Sequence, residues 1–240
     1  YYPADKTFVA QKKEEAQHME NRQQIRGIIE RETSETVYSY IMQYVDVGNP
    51  ANLVLSTTTR FNIEQLPQDR FKCLVNLHKV NDIRRINKFF EAVNLKLPYG
   101  GVYINSAETF SMRKQRILDQ YPPVINRIYY FFDMIFTRVF PKLPVLKKFY
   151  FWVTLGRNRV LSRAETLGRL YSCGFECLDE RFVDGRLYFV VRKVGEPHYP
   201  ENPTYGPFVR LKRYGKNGKL IGVYKMRTMH AYSEYLQEYV

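Results

Sequence analysis

Residues 71–104 read FKCLVNLHKVNDIRRINKFFEAVNLKLPYGGVYI, and this stretch decides the fold. Phe71 to Leu77 is apolar almost throughout rather than alternating, the pattern of a strand covered on both faces. From Asp82 onward, Ile83, Ile86, Phe89, Phe90, Val93 and Leu97 recur at the helical period. Gly100-Gly101 ends that helix, and Val102-Tyr103-Ile104 starts another strand. Strand, helix, glycine turn and strand form a βαβ unit, hence a parallel sheet with a right-handed crossover.

On the N-terminal side, Leu53-Val54-Leu55-Ser56 reads as a short strand running into the polar Thr57-Thr58-Thr59 and a loop ending at Pro67. Ser34 to Val47 predicts an amphipathic helix with Val37, Tyr40, Ile41, Tyr44 and Val45 on one face, stopped at Gly48-Asn49-Pro50. Residues 11–32, rich in Lys, Glu, Gln and Arg, predict a solvated helical arm. On the C-terminal side, Ser162 and Glu165 form a capping box that opens a helix through Tyr171, and Gly174 supplies its left-handed stop. Asp184-Gly185 between Phe175–Val183 and Arg186–Lys193 predicts a type I′ hairpin. Glu196 to Pro207, with four prolines, reads as a linker, and a second hairpin follows with Asn217-Gly218 at its tip. The expected organisation is a helical arm over 1–48, an α/β domain over 49–195 with a helical insertion at 110–160, and a linker and C-terminal module over 196–240. The expected fold class is α/β, an incomplete Rossmann-like sheet ending in a C-terminal β-hairpin.

The 240 residues carry 37 Lys and Arg against 24 Asp and Glu, a net +13 that draws the chain toward polyanions: nucleic acid, anionic lipid or phosphorylated substrates. Cys73, Cys173 and Cys177 make no disulfide framework, and without a nearby His they close no zinc site, so reduced core thiols are expected and no metal site is assigned. The N-terminus has no signal-peptide pattern, and no run approaches the ~18 apolar residues of a spanning helix. Opening on Tyr1 rather than methionine, the chain reads as a piece of a longer one.

Residues 121–159 combine eleven aromatic with seven basic side chains, and Asp133 is their only acid. Aromatic rings and cations are jointly satisfied in a lipid headgroup region. Pro141 and Pro144 divide the stretch into two short helices. One reading docks Arg127, Phe131, Phe132, Arg138, Lys147, Lys148 and Trp152 on an anionic membrane surface. The other lays the same aromatics over the sheet as core, since a stripe at helical spacing is usually buried.

Two resemblances follow from quoted residues. Asp69-Arg70-Phe71-Lys72-Cys73-Leu74-Val75, Leu97-Pro98-Tyr99-Gly100-Gly101-Val102-Tyr103-Ile104 and Arg163 to Lys193 resemble the second half of a class I S-adenosylmethionine-dependent methyltransferase. That family holds its cofactor with a Gly-rich loop after the first strand. Here the place reads Ser56-Thr57-Thr58-Thr59-Arg60, so no S-adenosylmethionine is expected. Gly206-Pro207-Phe208-Val209, Arg213 to Lys219 and Val223-Tyr224-Lys225-Met226-Arg227-Thr228-Met229 resemble the signature of the bacterial sugar transferases, the polyprenyl-phosphate phosphoglycosyl transferases. That resemblance implies sugar-1-phosphate transfer from a nucleotide sugar to polyprenyl phosphate with Mg²⁺. The family's membrane-inserted helix before Gly206 is missing, and its acidic pair after Met229 is reduced to Glu234 within His230-Ala231-Tyr232-Ser233-Glu234. No cofactor is therefore expected for this stretch itself, and the fragment alone is expected to be inactive.

Arg213, Lys225 and Arg227 are the phosphate-binding candidates, as bidentate and point-charge donors. Lys225 and Arg227 alternate with Tyr224 and Met226, so the two point to one face of a strand. His78, at the carboxyl edge of the central strand with Asp82 nearby, and Glu108, just past the next strand, are acid–base candidates that a structural role explains as well. The expectation is an accessory or regulatory part of a sugar-phosphate transferase in capsule or exopolysaccharide assembly, cytoplasmic and peripheral at the inner face of a bacterial membrane. A homo-oligomer is compatible with it. The rival readings are an active methyltransferase of a glycan or RNA, and a basic nucleic-acid-binding module using exposed Tyr and Phe as stacking platforms.

Overall fold

The computed structural model describes residues 6–198, 208–229 and 232–239. Most of the expected linker (199–207), the Gly206-Pro207 pair, and residues 1–5, 230, 231 and 240 lie outside them. Two helices come first, α1 (Lys6–Glu32) and α2 (Glu35–Met42). Then follow β1 (Asn52–Leu55), α3 (Arg60–Glu64), β2 (Cys73–Asn76), α4 (Ile86–Lys96) and β3 (Val102–Ala107). The insertion holds α5 (Phe110–Gln120), α6 (Ile125–Met134), a π turn (Ile135–Val139), a 3₁₀ turn (Phe140–Lys142) and α7 (Pro144–Thr154). The chain closes with α8 (Arg163–Ser172), β4 (Phe175–Val183), β5 (Arg186–Lys193), β6 (Phe208–Tyr214), β7 (Leu220–Met226) and a 3₁₀ stretch (Ser233–Tyr239).

A five-stranded mixed sheet has the order β1-β2-β3-β5-β4, with β1, β2 and β3 parallel and β5 antiparallel to both β3 and β4. The fold is α/β and Rossmann-like, built on the βαβ unit of β2, α4 and β3. Because side chains alternate along a strand, β2 sends Leu74 to one face and Cys73 and Val75 to the other. Leu74, Tyr103, Phe175, Phe189 and Val191 pack under α4 and α8 through Phe89, Phe90, Val93, Leu167 and Leu170. Cys73, Val75, Ile104, Tyr188 and Val190 pack against Ile29 of α1 and Val37, Tyr40 and Ile41 of α2. The sheet is thus covered on both faces, as the unbroken apolar run in 71–77 requires. Covering it takes α2 and the end of α1, so only the upstream part of α1 keeps the character of a solvated arm.

The two hairpins form on the residues that turn chemistry indicated. Asp184 and Gly185 both have positive φ (45° and 73°), as do Asn217 and Gly218 (61° and 68°). The helix expected from Asp82 begins later, at Ile86. Val80–Asp82 is a 3₁₀ turn, and the Asp82 carboxylate accepts from the backbone N–H of Asn158 at 2.9 Å instead of capping a helix. At α8 the Ser162 side chain does cap, accepting from the Glu165 N–H at 3.0 Å. Ser162→Ala is expected to lower stability by about 1 kcal/mol, read as a shift in the urea midpoint at unchanged slope.

Candidate functional site

Three places were expected to carry function: the carboxyl edge of the parallel strands, the insertion and the C-terminal ribbon. At the carboxyl edge, Asn76 and Thr57 bond each other. The Asn76 amide donates to the Thr57 carbonyl at 3.0 Å and accepts from the Thr57 N–H at 2.9 Å, so it ties β2 to the chain leaving β1. Thr57 is buried, and its hydroxyl takes further bonds from Asn62 (2.9 Å) and the Thr59 N–H (3.2 Å). The N–H groups of Thr57 and Thr59, in the place of the family's Gly-rich loop, are thus bonded within the chain.

Of the residues at this edge, Glu108 and Asp82 have partners of their own. His78 is exposed just beyond β2, and Asp82, its nearest expected partner, is held by Asn158. Glu108 is buried and pairs with Lys79 (3.3 Å) and Arg116 (2.8 Å), while Lys79 also donates to Asn158 (3.1 Å). Burial alone would push the Glu108 carboxyl up; Lys79 and Arg116 outweigh it and hold the group below its ordinary value. Its folded value being depressed, Glu108 contributes stability that is present above the ordinary carboxylate range and lost as pH falls through the depressed value. A carboxylate neutralised twice is a poor general base. Burial pushes the Cys73 thiol up strongly, Cys173 to about 12 and Cys177 to about 11, so none is a thiolate at neutral pH.

The insertion is built the other way round from an ordinary surface helix. On α6 and the turn after it, Asn126, Tyr130, Asp133 and Thr137 form the row that faces the protein. The Arg113 guanidinium of α5 grips Asp133 with two bonds of 2.7 and 2.8 Å, and Asn126 donates to the Leu118 carbonyl at 3.0 Å. Thr137 donates to the Asp133 carbonyl at 2.6 Å. The opposite side of α6 carries Ile125, Ile128, Tyr129, Phe131 and Phe132, all exposed, Phe132 to 64 %. On α6 the buried Asn126 and the ion-paired Asp133 thus face inward beside the half-buried Tyr130, while Ile125, Ile128, Tyr129, Phe131 and Phe132 stand in solvent.

In α7, Val145, Phe149 and Trp152 stand at i, i+4 and i+7 and are exposed, Trp152 to 75 %. Tyr150 is instead fully buried and packs on Phe136 of the π turn with ring centroids 5.3 Å apart. Pro144 sits at the first turn of α7, where a missing N–H costs nothing, and Pro141 sits in the preceding 3₁₀ turn. Of the docking residues expected from sequence, Arg127, Phe131, Phe132, Lys147, Lys148 and Trp152 all lie at the surface. Arg138 does not join them, because its guanidinium is drawn over the Phe110 ring at 4.8 Å. The anchoring residues Arg113 and Asn126 were missed. Nothing local marks them, and only the lone acid in an aromatic run hinted that Asp133 needed a partner.

The phosphate candidates are spread along the C-terminal ribbon. Arg213 lies opposite Ile221 and Lys225 opposite Val209, on one face but four residues apart, or roughly 13 Å along the strand. Arg227 is half-buried just past β7, and Glu234 is exposed in the 3₁₀ stretch. Tyr232, near the place of the transferase acidic pair, is buried against α4 and α8. It accepts from the Asn87 amide at 2.9 Å, and the Arg169 guanidinium lies 4.5 Å over its ring.

Among the described residues no helix is long and apolar enough to cross a membrane, and no cluster of His, Cys, Asp and Glu is placed to hold a metal. No protein-family model matches the chain, and no curated protein matches it. Among solved structures, it is similar to a "possible exported protein" of Bordetella parapertussis at 15% identity and a TM-score of 0.35, over 57% of this chain and 43% of that one. It is also similar to an O-methyltransferase family protein of Burkholderia thailandensis at 11% identity and a TM-score of 0.32, over 57% of this chain and 33% of that one. The chain thus spans less than half the length of either structure, and likenesses of this size carry no functional assignment.

Proposed function

We propose that this chain is a membrane-surface docking module that lays α6 and α7 into the headgroup region of an anionic bilayer. The single observation that carries the reading is the reversed burial of α6, whose polar row is pinned to the protein by Arg113 while Phe131 and Phe132 face outward. A patch of exposed large apolar side chains marks an interaction site. The exposed cations Arg127, Lys147 and Lys148 beside it favour an anionic surface, at about 1 kcal/mol each. With the signature-like residues of the C-terminal ribbon, this supports an accessory role in a bacterial sugar-phosphate transferase of capsule or exopolysaccharide assembly. The module would position the machinery that joins nucleotide sugar to polyprenyl phosphate, at the inner face of the membrane, rather than perform the transfer. The Asn76–Thr57 seal over the crevice counts against the methyltransferase alternative.

Sedimentation with vesicles tests this. Phe131→Asp/Phe132→Asp/Trp152→Asp is expected to lose more than about a hundredfold in affinity, since each ring buried is worth about 1.5–3 kcal/mol. All three side chains are exposed, so the thermal midpoint should be unchanged. A folded wild type that stays in the supernatant with anionic vesicles at low salt would sink the reading.

A further inference from the structure

The β6–β7 ribbon pairs Phe208 with Met226, Arg210 with Tyr224, Lys212 with Gly222 and Tyr214 with Leu220 on one face. Every residue of that face is exposed, Tyr214 to 80 % and Met226 to 71 %. The half-buried residues of the ribbon, Val209, Leu211 and Val223, lie on the other face together with Arg213 and Lys225. Residues 208–229 contain seven Lys and Arg and no acid. Gly222 has a purpose here: the Arg210 side chain crosses the bare backbone at that position, where a Cβ would collide with it, and comes to rest 5.8 Å from the Tyr224 ring. The cation is thereby held flat on the ribbon beside an aromatic ring instead of extending into water. An isolated two-stranded ribbon is marginal in water, and neither strand pairs with a third among the described residues.

We infer that this face, through Phe208, Arg210, Lys212, Tyr214, Tyr224 and Met226, is a second lipid contact, specific for anionic headgroups. The inference rests on the docking reading of α6 and α7 and adds to it the origin of charge selectivity. Charge complementarity favours an anionic partner, because Arg210 and Lys212 lie on this face and residues 208–229 contain no acid. The apolar part decides which polyanion it is. Phe208 and Met226 stand side by side at the open end of the ribbon, where they gain from the acyl boundary. A sugar–phosphate backbone offers them nothing. The tyrosines and Arg210 sit where ring and cation are both satisfied at headgroup depth.

The test uses the whole chain and vesicles of phosphatidylcholine with and without phosphatidylserine. Arg210→Glu/Lys212→Glu is expected to weaken binding to phosphatidylserine vesicles roughly thirty-fold and to leave binding to phosphatidylcholine unchanged. Tyr214→Ala/Tyr224→Ala, which alters no charge, is expected to weaken binding to both and serves if the reversal disturbs the ribbon. Wild-type affinity for phosphatidylserine vesicles in both variants overturns the inference. So does a loss confined to a single-stranded oligonucleotide, which would make the ribbon a nucleic-acid surface. The aromatic-to-Asp variant of α6 and α7, run alongside, separates the two claims. If it alone loses binding, the ribbon contact is wrong and the docking helices stand. If the ribbon variants alone lose binding, the ribbon contact stands and the docking helices are wrong.

Discussion

Asp133→Asn is expected to destabilise the insertion by about 3 kcal/mol while leaving the five-stranded sheet intact. The substitution keeps the shape of the side chain but removes its charge and turns one of its two accepting oxygens into a donor, so the two-bond Arg113 grip is broken. Arg113 would then remain inside the protein without a counter-ion, the costly half of breaking a buried pair. The figure sits at the low end of the usual range because the two side chains keep 16 % and 10 % of their exposure. Hydrogen exchange along α6 should accelerate more than a hundredfold, with the amides of β2 and β3 unchanged. Arg113→Met/Asp133→Leu should recover much of the loss, since apolar replacement of a whole pair is often near neutral. Asp133→Asn should also weaken vesicle binding although no lipid-facing residue is altered, because a loosened α6 is free to turn its aromatic side inward.

The second large effect is expected at Gly168. A Cβ there would overlap the Tyr232 carbonyl oxygen and lie 2.8 Å from its carbon and 2.9 Å from its Cβ. Two effects of Gly168→Ala oppose each other. Alanine in mid-helix favours α8 by about 1 kcal/mol. The same methyl group ejects a backbone that cannot yield, and with it the Tyr232 contacts to Asn87 and Arg169 and the seat of Leu236 on the core. The thermal midpoint of the sheet should therefore change little, while residues 232–236 lose their protection and become open to proteolysis. If the segment stays protected in Gly168→Ala, the close approach of the two backbones is not what holds it.

How far the sequence could be read depended on the distance to the deciding partner. The Asp184-Gly185 hairpin and the Ser162–Glu165 cap were legible because their chemistry lies within a few residues. The βαβ unit was legible from periodicity alone. The start of α4 was not, because Asp82 is claimed by Asn158, far along the chain. The aromatic insertion shows the limit most plainly. Phe131 and Phe132 at helical spacing fit a core or a surface equally well. What settles their direction is Arg113, twenty residues upstream, taking Asp133 to the inside. Similarly, Asn76 gives no local sign that it will bond Thr57, since the bond joins β2 to the chain leaving β1 rather than neighbours in a turn. Glu108, a carboxyl-edge candidate read from position alone, gave no sign that Lys79 and Arg116 would already hold it.

The attachment of α2 to the far end of the sheet has a consequence for synthesis on the ribosome. Tyr40 and Tyr44 both donate to Asp179, at 3.0 and 2.6 Å, and the Ser34 hydroxyl bonds Asp184 in the hairpin turn. These partners are translated some 140 residues later, which at ordinary elongation rates is roughly ten to thirty seconds. For that interval Val37, Tyr40 and Ile41 lack Tyr188 and Val190 of the sheet they cover, and their apolar face stays incompletely buried on the nascent chain. Holdase chaperones should therefore engage this N-terminal segment until β4 and β5 have emerged, and ribosome-bound chains truncated before Asp179 should still be held.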